Sequence, residues 1–148
     1  MAPLTSDVRH MENISEDEDQ DLYESSYYHF INRLKVLAAS PAGACELLGH
    51  FNVAFETKFD LEDAAHLFNY ESCTLSTEQR KAIIELVESL NTIPQAVLIY
   101  TDVSSVSLRN MDHPCWIPLR KKAQILLELL RPNTEKNHFY FYGEDINA

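Results

Sequence analysis

The stretch LYESSYYHFINRLKVLAA, residues 22–39, decides the fold class of this chain. Its apolar side chains recur at intervals of three or four residues, which places them on one face of an α-helix. They are Tyr23, Tyr27, Phe30, Ile31, Leu34 and Leu37. The stretch therefore predicts a long amphipathic helix whose apolar face belongs to a core.

Signals that start and stop further helices lie on the carboxyl side of this stretch. Ser40 is a natural N-cap, and Pro41 suits the first helical position because its missing N–H costs nothing there. Residues 76–79 spell a capping box ahead of an apolar stripe. Helical periodicity returns over residues 114–131, and Pro132 is expected to end that helix.

Two segments favour a different structure. Residues 96–108 begin with the short β-branched run AVLIY, and residues 139–142 read FYFY, which are compositions typical of strands. The predicted fold class is therefore mainly all-α, with four to six helices in one compact domain and a short β pair near 96–108 or 139–142.

The amino-terminal segment is strongly acidic. Residues 1–24 hold eight carboxylates and one arginine. Like charges in a run repel one another and stay solvated. Residues 1–21 are therefore predicted to be a flexible acidic leader, and residues 22–148 a single helical domain.

The overall composition opposes several classes of function. With 12 basic and 23 acidic residues the formal charge is −11, which disfavours nucleic acid and anionic membranes as partners. No apolar run approaches the roughly 20 residues that span a bilayer, and the amino terminus lacks the features of a secretory signal. The three cysteines are widely spaced, so a reducing, cytoplasmic location is expected.

Two carboxylate–histidine pairs raise the possibility of a metal site. Glu46 and His50, and likewise Glu62 and His66, are spaced four residues apart, which would place each pair on one helical face. No His-Glu-x-x-His spelling accompanies them. We therefore expect surface pairs and no metal, with a metal-dependent enzyme as the less favoured alternative.

Nucleophilic catalysis has similarly weak support. Cys45, Cys73 and Cys115 could each meet a histidine in space, but none of the local spellings of cysteine hydrolases is present. The sequence also lacks a glycine-rich phosphate loop and a Gly-x-Ser-x-Gly elbow. We expect neither enzymatic activity nor a cofactor.

The acidic middle of the chain is the predicted partner-binding region. Its carboxylates face only one basic residue, Lys58, between positions 46 and 78. A patch of one sign accelerates encounter with an oppositely charged protein. The predicted partner-binding residues are Glu46, Glu56, Asp60, Glu62, Asp63 and Glu71. Nearby aromatic residues could anchor a partner, although most of them are expected in the core. These aromatic residues are Phe51, Phe55, Phe59, Phe68 and Tyr70.

Two strings carry a resemblance to a known class of proteins: CELLGHFNVAFE at residues 45–56 and MDHPCWIPLR at residues 111–120. Together with the helix predicted between them, over residues 76–94, they resemble small acidic helical bacterial immunity proteins of secreted or contact-dependent toxin systems. The resemblance covers residues 25–131. The resemblance implies a protein that binds and occludes a basic cognate toxin, such as a nuclease, in the cytoplasm. A regulatory or scaffold protein-binding domain is the alternative.

Overall fold

The computed structural model describes residues 15–143 as a bundle of seven α-helices with three short 3₁₀ segments. The α-helices are α1 (Glu16–Ala38), α2 (Pro41–Leu48), α3 (Val53–Leu61), α4 (Thr77–Ser89), α5 (Ser104–Met111), α6 (Trp116–Leu129) and α7 (Arg131–Tyr142). The 3₁₀ segments are Ala64–Asn69, Leu90–Thr92 and Gln95–Leu98. The predicted all-α class is confirmed, while the number of helices exceeds the four to six expected.

Helix α1 begins six residues earlier than the sequence pattern indicates. The Ser15 side chain caps it by accepting a hydrogen bond from the Glu18 N–H at 3.1 Å. Four carboxylates occupy its first turn, where their negative charges interact favourably with the positive end of the helix dipole. Residues 16–21, predicted to belong to the flexible leader, are therefore helical, and residues 1–14 lie outside the described residues.

The core forms around α1, which packs against α2, α3, α6 and α7. Its predicted apolar face is buried throughout, and α6 supplies the opposing side chains, with Trp116 wholly enclosed. The Trp116 indole N–H donates a hydrogen bond to the Asn110 carbonyl at 2.8 Å, so the enclosed ring leaves no unpaired polar atom.

Two predicted helix starts are confirmed in atomic detail. The Ser40 hydroxyl accepts a hydrogen bond from the Gly43 N–H at 3.1 Å, with Pro41 in the first turn. At α4 the Ser76 hydroxyl accepts from the Gln79 N–H at 3.1 Å, and the Gln79 side chain accepts from the Ser76 N–H at 2.8 Å. This reciprocal pair is the predicted capping box.

Both predicted β segments are wrong, because the described residues contain no strand. Residues 96–108 form the 3₁₀ segment Gln95–Leu98 and the start of α5, and only Val97 and Ser107 of them are buried. Residues 139–142 belong to α7, which Pro132 opens at its first turn instead of ending α6. The Asn137 side chain docks α7 on α1 by donating to the Glu24 carbonyl at 3.0 Å.

No helix in residues 15–143 combines the length and apolarity that crossing a membrane requires.

Candidate functional site

The six predicted partner-binding carboxylates are all exposed. Glu46 lies on α2, Glu56 and Asp60 lie on α3, Glu62 and Asp63 follow α3 directly, and Glu71 lies in the turn before α4. They are thus distributed over two helices and two connections rather than along one face.

Two of these carboxylates are already occupied by cations of the same chain. Asp60 Oδ2 lies 2.7 Å from Arg33 Nε on α1, although the Nε–H forms no hydrogen bond. Glu62 accepts a hydrogen bond from the Lys58 ammonium at 2.9 Å. The other four form no ion pair within the described part of the chain, so they hold most of the charge that a partner could meet.

Helix α3 presents aromatic side chains on the side that faces water. Its buried residues are Val53, Ala54, Thr57 and Leu61. At 100° per residue these span one arc of the helix, and Phe59 lies opposite its middle. Phe59 is 61% exposed.

The exposed aromatics form a contiguous group. The Phe55 and Phe59 rings are stacked, with centroids 5.9 Å apart and an interplanar angle of 11°. Tyr100 contacts Phe55 edge-on at 6.3 Å and is 74% exposed. We name Phe55, Phe59 and Tyr100 the aromatic surface.

The prediction that most aromatic side chains near the acidic middle lie in the core is wrong. None of these five side chains is buried. Phe51, Phe55 and Phe59 are exposed, and Phe68 and Tyr70 are half-buried. The signal that could have identified the exposed pair is the wheel of α3, since one helix cannot bury Leu61 and Phe59 on the same face.

Charged residues border the stacked rings on both sides. On the helical wheel Glu56 and Asp60 follow the rings on one side, while Lys58 and Glu62 flank them on the other. Because Lys58 neutralises Glu62, the Glu56 side has the larger negative charge. An apolar centre with a charged rim is the usual anatomy of a protein interface.

A polar cleft of about 320 Å³ lies between α1, the end of α3 and the first 3₁₀ segment. Its polar lining includes Arg33, Asp60, Asp63, His29 and His66. The structure thus brings together Asp60, Asp63 and His66, which were singled out in the sequence, with His29 and Arg33, which were not. The periodicity of α1 indicates only its core face, so the sequence carries no signal that His29 and Arg33 belong to a cleft.

The two predicted carboxylate–histidine pairs do not form on helical faces. Helix α2 ends at Leu48, and the chain leaves it through left-handed residues at Gly49 and His50. Helix α3 ends at Leu61, so Glu62 and His66 lie on different elements. Within residues 15–143, no group of three or more histidine, cysteine or acidic side chains is arranged to hold a metal ion.

The environments of Cys45 and Cys115 do not resemble that of an activated nucleophile. Burial raises the pKa of the Cys45 thiol, and the Ser107 hydroxyl beside it lowers that pKa only in part. Burial likewise raises the pKa of Cys115. Nucleophilic cysteines need the opposite shift, because the thiolate is the reactive form.

Comparison of this chain with protein-family models, with curated proteins and with solved structures finds no match. The grounds for a function are therefore the aromatic surface, the carboxylates around it and the polar cleft.

Proposed function

We propose that this protein binds a basic partner protein through the aromatic surface and the carboxylates beside it. The observation that carries the proposal is the stacked pair Phe55 and Phe59 on the solvent side of α3. Aromatic side chains are the residues that most often dominate binding energy when a partner encloses them. A contiguous exposed aromatic group accordingly supports a binding role.

The energetics favour a partner that covers the rings. Burying a phenylalanine side chain fully is worth about 1.5–3 kcal/mol relative to leaving it in water. The two rings are pre-stacked on a helix, so little side-chain freedom remains to be lost on binding. A flat apolar area on the partner is the matching surface.

The charge distribution supports a basic partner. The chain has a formal charge of −11, and Glu56 lies beside the rings without an ion pair in the described residues. Opposite charges at an interface rim raise the association rate and are screened by salt. Added salt should therefore slow association more than it speeds dissociation.

A toxin in the cytoplasm of the producing cell is the specific partner that we propose. The support is the sequence resemblance to bacterial immunity proteins together with the acidic charge, since nuclease toxins are basic. Neutralisation would follow from occlusion of the toxin's active cleft. A regulatory or scaffold domain would use the same surface, but its partner would keep its activity when bound.

Site-specific crosslinking tests the surface in the native cell. A benzoylphenylalanine placed at Phe59 should capture a basic protein, whereas the same group at Ile125 on α6 should not. Ile125 is a matched control because it is 62% exposed, compared with 61% for Phe59. Equal capture from both positions would contradict the proposal.

Binding measurements with the purified captured protein complete the test. The double variant Phe55→Ser/Phe59→Ser should weaken binding by about 30-fold or more, as loss of hot-spot aromatics does, while Ile125→Ser should leave it unchanged. The association rate should fall as salt rises. The captured protein's own activity, measured with and without this chain, separates immunity from scaffolding.

A further inference from the structure

We propose that the polar cleft is a receptor for one arginine side chain of the partner protein, with Asp63 as the carboxylate that pairs with it. The inference rests on the proposed function, because it assigns a second contact to the same basic partner. The cleft adjoins the aromatic surface at Asp60, but its lining contains none of the three aromatic residues, so the two proposals can fail independently.

The cleft is of the right size and composition for a side chain. Its volume of about 320 Å³ is at the lower end of ligand pockets. Phe30 and Leu67 contribute its apolar lining, against which the methylene stem of a long basic side chain can pack. The polar side chains of the cleft lie beside this apolar lining, where they can contact the charged group at the end of that side chain.

The charges of the cleft leave one carboxylate available. Arg33 and Asp60 neutralise each other at 2.7 Å, and this pair shows that the cleft already accommodates one guanidinium against one carboxylate. Asp63 is exposed and forms no ion pair or side-chain cap within residues 15–143. Asp63 is therefore the carboxylate of the lining that no cation within residues 15–143 balances, which favours a cationic ligand.

The side of the cleft formed by the first 3₁₀ segment is held in place by polar contacts. The Tyr70 and Ser26 hydroxyl oxygens are 3.1 Å apart, and the Tyr70 hydroxyl is also 3.2 Å from His66 Nε2. This chain of contacts ties the first 3₁₀ segment to α1, so the cleft exists before a ligand arrives. Preformed geometry reduces the entropy that binding must overcome.

Arginine fits this geometry better than lysine. Its planar guanidinium offers five N–H donors in a fixed fork that matches a carboxylate in a bidentate manner. Its remaining N–H groups stay available to other acceptors of the lining. A lysine ammonium would satisfy Asp63 as a point charge only.

Titration of the isotope-labelled full chain with short peptides, followed by NMR, tests the inference without knowledge of the partner. Acetyl-glycyl-arginyl-glycinamide should shift the amide signals of Ala64, His66 and Leu67. The citrulline peptide, which is nearly isosteric and uncharged, should not. Binding in Asp63→Asn should be about tenfold weaker or more, the usual cost of losing a charge-assisted bond.

Control variants keep the test specific. Asp112→Asn changes an exposed aspartate at the end of α5 and should leave peptide binding unchanged. An unchanged amide spectrum of Asp63→Asn outside the cleft shows that it folds. Equal binding of the citrulline peptide, tighter binding of a glutamate peptide, or no effect of Asp63→Asn would each overturn the inference.

Two further outcomes separate this inference from the proposed function. Tighter binding of free arginine than of the arginine peptide would overturn the assignment to a protein partner. If the peptides fail while crosslinking from Phe59 remains specific, the cleft inference falls and the proposed function stands. If crosslinking fails while the arginine peptide binds, the proposed function is wrong. The assignment of the bound arginine to its partner protein is then wrong as well.

Discussion

Truncating Phe59 and Leu61, two residues apart on α3, should separate the solvent face of this helix from its core face. Phe59 is 61% exposed, so the part of its ring that is buried stabilises the fold by about 0.6–1.2 kcal/mol. Loss of its stacking on Phe55 adds about 0.5 kcal/mol at such an exposed site. We therefore expect Phe59→Ser to lower the free energy of unfolding by about 1–2 kcal/mol.

Leu61 gives the contrasting value on the same helix. Its side chain has no exposed surface, so Leu61→Ala should cost about 3–5 kcal/mol through lost burial and the cavity left behind. With an m value of about 1.5 kcal/mol/M, the urea midpoint should fall by about 1 M for Phe59→Ser and by about 2–3 M for Leu61→Ala.

Urea unfolding followed by far-ultraviolet circular dichroism, at two protein concentrations, measures both variants. A loss of 3 kcal/mol or more for Phe59→Ser would refute the placement of this ring on the solvent side. If that loss depended on protein concentration, a second copy of the chain would be covering the ring. If it did not, α3 would be rotated in its packing.

Three other predictions follow from contacts in the core and at helix ends. Ser76→Ala removes half of the capping box and should cost about 0.5–2 kcal/mol in thermal unfolding, whereas Ser105→Ala, on an exposed helical position, should cost less than about 0.5 kcal/mol. The Ser72 hydroxyl, together with the Ser72 N–H, holds the pKa of Asp19 below its ordinary value of 3.8. The stabilisation by Asp19 should thus be complete above about pH 4 and lost as the pH falls further, and Asp19→Asn should remove this acid dependence from the unfolding midpoint. Burial raises the pKa of Tyr27 well above its ordinary value of 10.0, so the tyrosine should resist ionisation in spectrophotometric titration until the fold is lost in base, and Tyr27→Phe should shift that loss to higher pH.

The helical class was predictable because several independent signals agreed. Ser40, Pro41 and the residues of the capping box act through local geometry, which a sequence displays directly. The failures lie where a local pattern has two outcomes. A short apolar run such as residues 96–100 suits a strand or a short helical segment equally well, and Pro132 can end one helix or open the next.

The candidate site was predictable only in part. The carboxylates were expected to be exposed because charged side chains are rarely buried alone. The cleft depends on α1 approaching the end of α3, a tertiary contact that residue spacing does not encode. The exposure of Phe59 was missed because hydrophobicity alone assigns phenylalanine to the interior, although surfaces retain much apolar area.

The stacked rings on α3 have a consequence for how copies of this protein behave toward one another. Apolar groups in water usually promote self-association. Two copies that met ring to ring would also bring their Glu56 carboxylates close together, within molecules of like net charge. Electrostatic repulsion at this border therefore opposes self-association of the protein at low ionic strength. Salt screens the repulsion and should make self-association easier.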